Sequence, residues 1–377
     1  MTRLAPGRYG QSQEASKQVG NNPWRARAVA PLCLTVAVAL VASGVVASPP
    51  AFTVHRGVET GSMPKGASLS PDGRTLYVTN YGQLNRRSVT LHDTQTLRVT
   101  GQIDLPGIAV ESVISPDGRT LYVSNFRRHS VQFVDLGSRR VVHEVTVGQH
   151  PKILVLSRDG RRLFAANWAG RSVTEVDTRR AVVVRTLSVG NNPRGMALTR
   201  SGRLYVANFS DHTLDIFEGR DMAQHQRVRH VCRVPRHLAL SPDDRQLYVS
   251  CLTASELAVI DTTSQRVVRR VGVGRSPKAL DVMGGGRYVV TADYGGSSAT
   301  VVDTQDWSAR RIPVPGMDHA SGVVAARNAL RFYVTGWYDD HVYSLGLEHA
   351  GPRYTIPAAL ESVVRARRAY HDAHPAE

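Results

Sequence analysis

The feature that most constrains the fold is a short motif that recurs along most of the chain. Its first copy is residues 70–80, in which Ser-Pro-Asp-Gly-Arg is followed by Thr-Leu-Tyr-Val-Thr-Asn. Pro-Asp-Gly is typical of a tight turn, and the β-branched and aromatic residues after it are typical of a half-buried strand. Residues 115–125 repeat the motif almost letter for letter, and weaker copies follow. The chain is therefore built from turn-and-strand repeats.

Seven copies of the motif occur at intervals of 41 to 45 residues. Their last residues are Asn80, Asn125, Asn167, Asn208, Cys251, Asp293 and Gly336. A near-constant period of this length indicates an array of one supersecondary unit. Each unit contains four strand-like pieces, seen most clearly in residues 145–185, and it lacks the apolar spacing of 3.6 that a helical array would need. The sequence predicts an all-β, seven-bladed β-propeller of four-stranded blades.

The repeat resembles that of the YVTN β-propeller proteins. The resemblance spans roughly residues 52–350 and rests on three strands and four Asp-Thr turns, which are Tyr77–Asn80, Tyr122–Asn125, Tyr205–Asn208 and the turns at Asp93, Asp177, Asp261 and Asp303. It implies the propeller fold. Members of that family have varied roles, so the resemblance does not select a function, which depends on the site and not on the fold.

Composition divides the chain into four segments. Residues 1–27 are polar, and residues 28–47 are an uncharged apolar run that is either a cleaved signal peptide or an uncleaved membrane anchor. Residues 48–357 form the propeller, and residues 358–377 are a basic tail with a weak helical pattern. Both readings of the apolar run predict export of a monomeric propeller to the periplasm or the extracellular space. We expect membrane contact only through the apolar run.

Ring closure also leaves a trace in the sequence. Residues 52–60 precede the first repeat as a fourth strand without a blade of its own. We expect this segment to pair with His341–Leu347, the third strand of the last blade, so that both ends of the chain hold the ring shut. Residues 352–357 could compete for the same place.

Basic residues recur at one position of the repeat. The net charge of +16 comes almost entirely from arginine, and three of only four lysines directly follow a proline and precede the strand aromatic position by 12 residues. The basic residues at this position are Lys65, Lys152, Arg194, Arg236 and Lys278. Blade two has Val110 or Glu111 there, and blade seven has Ser321.

In a propeller the first strand of each blade lies beside the central channel. The loops that lead into the first strands share one face with the loops between second and third strands, which we call the top face. The sequence thus predicts five cations around the channel mouth, where low-dielectric walls would focus their field onto an anion. The alternative is that these side chains merely pack on the carbonyls of neighbouring loops.

A second top-face feature is aromatic. The residues directly after the motif are Tyr81, Phe126, Trp168, Phe209, Leu252, Tyr294 and Trp337, in a chain that is only 6% aromatic. They either seal the gaps between blades or offer stacking surfaces beside the cations, as in single-strand nucleic-acid sites. Arg127 and Arg128 add charge to one of these loops. The expected ligand is a single-stranded nucleic acid or an anionic cell-envelope polymer, although nucleic-acid-binding motifs are absent from the sequence.

Catalytic signatures are weak. The sequence has no Gly-x-Ser-x-Gly, His-Glu-x-x-His or phosphate-loop motif. A lactonase-like hydrolase would need several carboxylates around one divalent cation, and those able to reach the top face are Glu111, Asp211, Asp293, Asp318, Asp339 and Asp340. Five cations at the same mouth argue against it. We therefore predict a binding module without catalytic residues, metal or cofactor, with a hydrolase and a protein-interaction scaffold at the cell envelope as alternatives.

Two cysteines mark one blade. Cys251 stands where the motif has asparagine, and Cys232 lies three residues before Pro235. Both positions fall near the top of the same blade junction. In an exported protein this placement predicts a Cys232–Cys251 disulfide, with two buried thiols as the alternative.

Overall fold

The computed structural model describes residues 51–82, 88–326 and 329–347, together with residues 361, 362 and 365, which are helical. The chain divides into two units, Met1–Ser48 and Pro49–Glu377, and every described residue belongs to the second. The polar segment 1–27, the apolar run 28–47 and residues 352–357 lie outside the described residues. In the part of the chain that the structure describes, no helix is long and apolar enough to cross a membrane.

The described strands form seven four-stranded antiparallel sheets, so the predicted propeller is confirmed. Blades one to three consist of β2 (Pro64–Leu69), β3 (Thr75–Asn80), β4 (Val89–Asp93) and β5 (Val99–Ile103); β6 (Ala109–Ile114), β7 (Thr120–Asn125), β8 (Ser130–Asp135) and β9 (Arg140–Thr146); and β10 (Pro151–Leu156), β11 (Arg162–Asn167), β12 (Ser172–Asp177) and β13 (Val182–Ser188).

The remaining blades follow the same order along the chain. Blades four to six consist of β14 (Pro193–Leu198), β15 (Leu204–Asn208), β16 (Thr213–Glu218) and β17 (Gln224–Val228); β18 (Pro235–Leu240), β19 (Gln246–Cys251), β20 (Glu256–Asp261) and β21 (Arg266–Gly272); and β22 (Pro277–Met283), β23 (Tyr288–Asp293), β24 (Ser298–Asp303) and β25 (Ala309–Pro313). Blade seven has β26 (Ala320–Ala325), β27 (Arg331–Gly336), β28 (His341–Leu347) and, last, β1 (Phe52–Glu59). Short 3-10 helices span Gly284–Gly286 and Tyr294–Gly296.

The hydrophobic core lies between neighbouring blades. The second strands are the most buried, because adjacent blades cover both of their faces, whereas outermost strands such as β13 are largely exposed. One of these cores joins Tyr205 and Ile216 of blade four to Leu247 and Val249 of blade five. Each blade therefore depends on its neighbours for the burial of its apolar side chains.

The N-terminal strand closes the ring, as the sequence predicts. β1 pairs antiparallel with β28 from Phe52 opposite Leu347 to Glu59 opposite His341. Phe52 is only 4% exposed and packs edge-on against Tyr288 of blade six, with the ring centroids 5.3 Å apart. Its side chain thus joins the closing strand to the core between blades six and seven.

The substitution Phe52→Ala should destabilise the closed ring. Loss of a buried phenylalanine leaves a cavity, and the free energy of unfolding should fall by about 3–5 kcal/mol. Urea denaturation followed by circular dichroism measures this change. The matched control is Val99→Ala on β5, where the side chain is 48% exposed and the expected change is within about 0.5 kcal/mol. Equal stability of the two variants would contradict the role given to the closing strand.

Candidate functional site

A cavity of about 250 Å³ lies on the propeller axis. First strands of all seven blades line it, because each blade contributes its innermost strand to the channel wall. The predicted ring positions all face this cavity, and they are Lys65, Glu111, Lys152, Arg194, Arg236, Lys278 and Ser321. We call these seven residues the channel ring. The structure therefore brings together the five cations that the repeat spacing singled out.

One backbone hydrogen bond recurs in all seven blades and fixes the mouth. The N–H of the residue after the motif donates to a carbonyl of the loop that enters the first strand, at 2.9–3.2 Å. In six blades the accepting residue has a left-handed backbone with φ of 52–62°, and these residues are Met63, His150, Asn192, Val234, Ser276 and His319. This conformation is unfavourable for residues other than glycine and persists only where the surroundings impose it. In every blade the loop between the second and third strands is thus held to the loop that enters the first strand.

The aromatic side chains contact the cations of the channel ring. Lys152 Nζ lies 3.7 Å from the centroid of Trp168, and Lys278 Nζ lies 4.2 Å from that of Tyr294. Other contacts of this kind, at 4.4–5.5 Å, join Lys278 to Trp337, Lys65 to Tyr81 and Trp337, Arg194 to Phe209, and Lys152 to Phe126. A cation over an aromatic face is attracted by the quadrupole of the ring. We call the six aromatic residues the aromatic collar, and it supports the cations from the top face.

Blade five departs from this pattern because the collar position holds Leu252. Arg236 of that blade instead donates from Nη1 to the carbonyl oxygen of Lys278 at 2.7 Å. The collar rings also contact one another, as Tyr81 does with Phe126 and Trp337 at centroid distances of 5.9 and 5.5 Å. Part of each aromatic surface is therefore covered by protein.

Burial and mutual repulsion make the channel ring a costly arrangement. Burial, with repulsion from Arg194, Lys65 and Arg236, lowers the pKa of Lys152 to about 4. The same two causes hold the pKa of Lys65, Arg236 and Lys278 well below its ordinary value, and burial alone lowers the pKa of Arg194 to about 10. Desolvation of this kind disfavours the charged form. The ring holds a single carboxylate, which is too little negative charge to balance its five basic residues.

Glu111 is the carboxylate of the channel ring. Burial raises its pKa to about 7, although Lys65 opposes this shift. Its carboxylate lies directly over Gly66, where a Cβ would collide with it. Glycine at position 66 thus leaves room for the one acidic side chain among the cations.

The two loop arginines lie apart from the channel ring. Arg128 Nε pairs with Glu144 Oε1 on the outermost strand of blade two at 2.7 Å. Arg127 is exposed. Burial raises the pKa of Tyr81, and the charge of Arg127 partly opposes this shift. The structure directs Arg128 towards the rim because Glu144 offers it a counter-ion.

Most of the top-face carboxylates support loops. Asp293 takes the place of the motif asparagine in blade six and accepts hydrogen bonds from Thr291 and Thr300 at 2.7 Å, and burial raises its pKa to about 6. Asp339 accepts from Tyr343 Oη at 2.6 Å and from the backbone N–H of Asp318. Among the described residues, no group of three or more His, Cys, Asp or Glu side chains could hold a metal ion.

Cys232 and Cys251 form a disulfide, with sulfurs 2.13 Å apart and Cα atoms 5.9 Å apart. In blade two the motif asparagine makes the corresponding link by a hydrogen bond, because Asn125 Oδ1 accepts the N–H of Ile108 in the entering loop at 3.1 Å. The disulfide therefore ties the entering loop of blade five to its second strand, where the motif asparagine is missing.

Comparisons with known proteins show the fold and leave the family open. Residues 204–335, less than half of the chain, match the family described as "Cytochrome D1 heme domain", which is a β-propeller family. Antigen Lp49 of Leptospira interrogans is 29% identical over 105 residues. That match covers 24% of this chain and 23% of the antigen, so the chain spans about a quarter of the length of this curated relative.

Two solved structures resemble the whole propeller. Hydrazine synthase of Kuenenia stuttgartiensis superposes with a TM-score of 0.67 at 19% identity, covering 80% of this chain and 98% of that one. Virginiamycin B lyase of Staphylococcus aureus superposes with a TM-score of 0.66 at 13% identity, covering 79% and 100%. At these identities the likeness establishes the seven-bladed propeller and nothing about activity.

The substitution Lys152→Met should stabilise the protein. Lys152 must lose its proton when it is buried at neutral pH, and an apolar side chain of similar volume avoids that cost, so the free energy of unfolding should rise by about 1–4 kcal/mol. The unfolded chain holds a proton on Lys152 below about pH 10, whereas the folded chain holds it only below about pH 4. Wild-type stability therefore falls as the pH is lowered between these values, and the advantage of the variant grows.

Urea denaturation in chloride buffers at pH 5, 7 and 9 measures this difference. The control is Arg179→Met in an exposed turn on the opposite face, where the expected change is within about 0.5 kcal/mol at each pH. A ring that served only to support the fold would give the reverse result, because Lys152→Met would then be destabilising.

Proposed function

We propose that this protein is an exported, non-catalytic binding module whose channel mouth binds an anionic ligand. The observation that carries the proposal is the convergence of five basic residues on a single cavity, whose mouth holds one carboxylate, Glu111. A structural role explains them poorly, because burial and repulsion lower the pKa of these cations and a fold would gain stability from apolar replacements. An anion in the cavity would supply the missing counter-charge. We also propose that the blades are repeats of the YVTN type.

Single-stranded nucleic acid and an anionic cell-envelope polymer are candidate ligands, gripped by the cations and stacked on the collar. The geometry favours an anionic group that reaches into the cavity over a polymer that lies flat across the mouth. The cations are half-buried or buried, and the collar rings already rest on them and on one another. Access to the charge is thus mainly along the channel axis.

The double variant Lys152→Met/Lys278→Met tests the proposal. We expect it to weaken binding of a labelled single-stranded oligonucleotide and of sulfate by at least about tenfold, since the variant lacks two basic residues of the channel ring. For the oligonucleotide, the slope of log affinity against log chloride concentration should become shallower by about 0.7 for each cation that contacts a phosphate. Fluorescence anisotropy and isothermal titration calorimetry measure the two affinities.

The matched control is Arg179→Gln/Arg180→Gln, which removes the same number of basic residues from an exposed turn on the face opposite the channel mouth. Its affinities should stay within about twofold of wild type. An equal loss in both variants would mean that binding follows net charge and not the channel ring. Failure of both probes to bind at low salt would overturn the proposal.

Sulfate affinity should rise as the pH is lowered from 8 to 6. Glu111, with a pKa of about 7, is mostly ionised at pH 8 and mostly neutral at pH 6, and its ionised form repels the ligand. Lys65 on β2 and Arg236 on β18 are the charged groups that act on it most. We expect a gain of about three- to tenfold for the loss of one neighbouring negative charge. Sulfate is the suitable probe because its charge is constant over this range.

The variant Glu111→Gln should have a shallower pH dependence, with the remainder due to proton uptake by the lysines. Its control is Glu144→Gln, which removes a carboxylate outside the channel that pairs with Arg128. Calorimetric titrations at pH 6, 7 and 8 distinguish them. An unchanged slope in Glu111→Gln would refute the assignment to this carboxylate.

A further inference from the structure

The wall of the channel changes character below the channel ring. Side chains two or three positions further along the first strands also line the cavity. These strands rise by about 3.3 Å per residue but have a register shift at their start, so this second layer lies about 5–7 Å from the ring. The layer is apolar in six of the seven blades, with Met196 in blade four, and its five half-buried apolar residues are Ala67, Val113, Val155, Ala239 and Val324. We call these five residues the apolar wall.

The apolar wall is half-buried and faces the same cavity as the cations. Asp281 is the carboxylate at this depth, and its oxygens accept the backbone N–H groups of Val282 and Ala325 at 2.8 Å. Its polar atoms are thus engaged with the backbone of β22 and β26. The cavity is amphipathic, with a cationic end at the mouth and an apolar end inside.

We infer that the cavity binds an amphipathic anion, with its charged group in the channel ring and a short alkyl chain against the apolar wall. This inference rests on the proposed function and specifies its ligand class. A cavity of about 250 Å³ holds on the order of eight water-sized groups. A linear carboxylate of up to about eight carbon atoms fits that limit, and a polymer does not.

The order of charge and apolar surface also suits this ligand. The head group would receive the counter-charge of several lysines, and the chain would displace water from walls that offer it no hydrogen bonds. Ligand sites of this type combine a mostly apolar lining with a few polar groups that fix the orientation. Here the basic groups are all at one end, so an anionic head group should bind in only one direction.

A series of linear carboxylates tests the inference, with acetate, butanoate, hexanoate and octanoate as probes and sulfate as the probe of charge alone. Each added methylene should raise affinity by about fourfold until the cavity is full. Isothermal titration calorimetry of the full chain measures the series. Equal affinity for acetate and octanoate would overturn the inference and leave the proposed function intact. Failure of all five probes to bind would overturn both.

Variants of the apolar wall test where the alkyl chain of the ligand lies. Val113→Thr/Val155→Thr keeps the shape but adds two hydroxyls, so octanoate should bind about tenfold more weakly while sulfate stays within about twofold. The control is Val182→Thr/Val268→Thr on outermost strands, where the valines are 48% and 56% exposed. Ala239→Leu, which fills the channel, should likewise weaken octanoate and spare sulfate if the double variant does not fold. Loss of octanoate affinity in Trp168→Leu, with none in the wall variants, would place the chain on the collar and overturn the inference.

Discussion

The pairing of β1 with β28 is the interaction on which the rest of the structure depends. A four-stranded blade buries its apolar faces only against neighbours on both sides, so an open row of seven blades would leave two of those faces in water. Closure of the ring by β1 and β28 buries both of these exposed faces. Closure also brings the seven first strands around one axis, so that equivalent residues of the seven repeats line the same cavity.

Closure of the ring therefore brings the basic residues at one position of the repeat close together. A single lysine after a proline is an ordinary surface residue, but five basic residues at that position face one cavity. Their proximity and burial lower their pKa, and the aromatic collar offsets part of that cost through contacts with the cations. Proteins retain such costly arrangements where binding needs them, at the expense of stability.

Three blades depart from the repeat at positions near the channel mouth. Blade two supplies Glu111 to the ring, blade five replaces the motif asparagine with a disulfide, and blade seven has Asp339 over Gly336, where a side chain at the motif position would collide with it. All three lie on the top face or in the channel. The turns on the opposite face keep the repeat more faithfully, and the Asp side chain of each accepts hydrogen bonds from backbone N–H groups of the residues that follow it.

The sequence by itself determined the repeat and its period, hence seven four-stranded blades, the closing strand and the residues that would face the axis. These follow from local patterns: turn residues, alternating strands and the position of Lys65, Lys152 and Lys278 within each repeat. The tertiary structure alone decided which side chains touch. It placed the collar on the cations, turned Arg128 to Glu144 and set an apolar wall below the ring. Such contacts join residues of different strands and loops, some within one blade and some across two, and their distances depend on how the strands and blades pack and not on spacing along the chain.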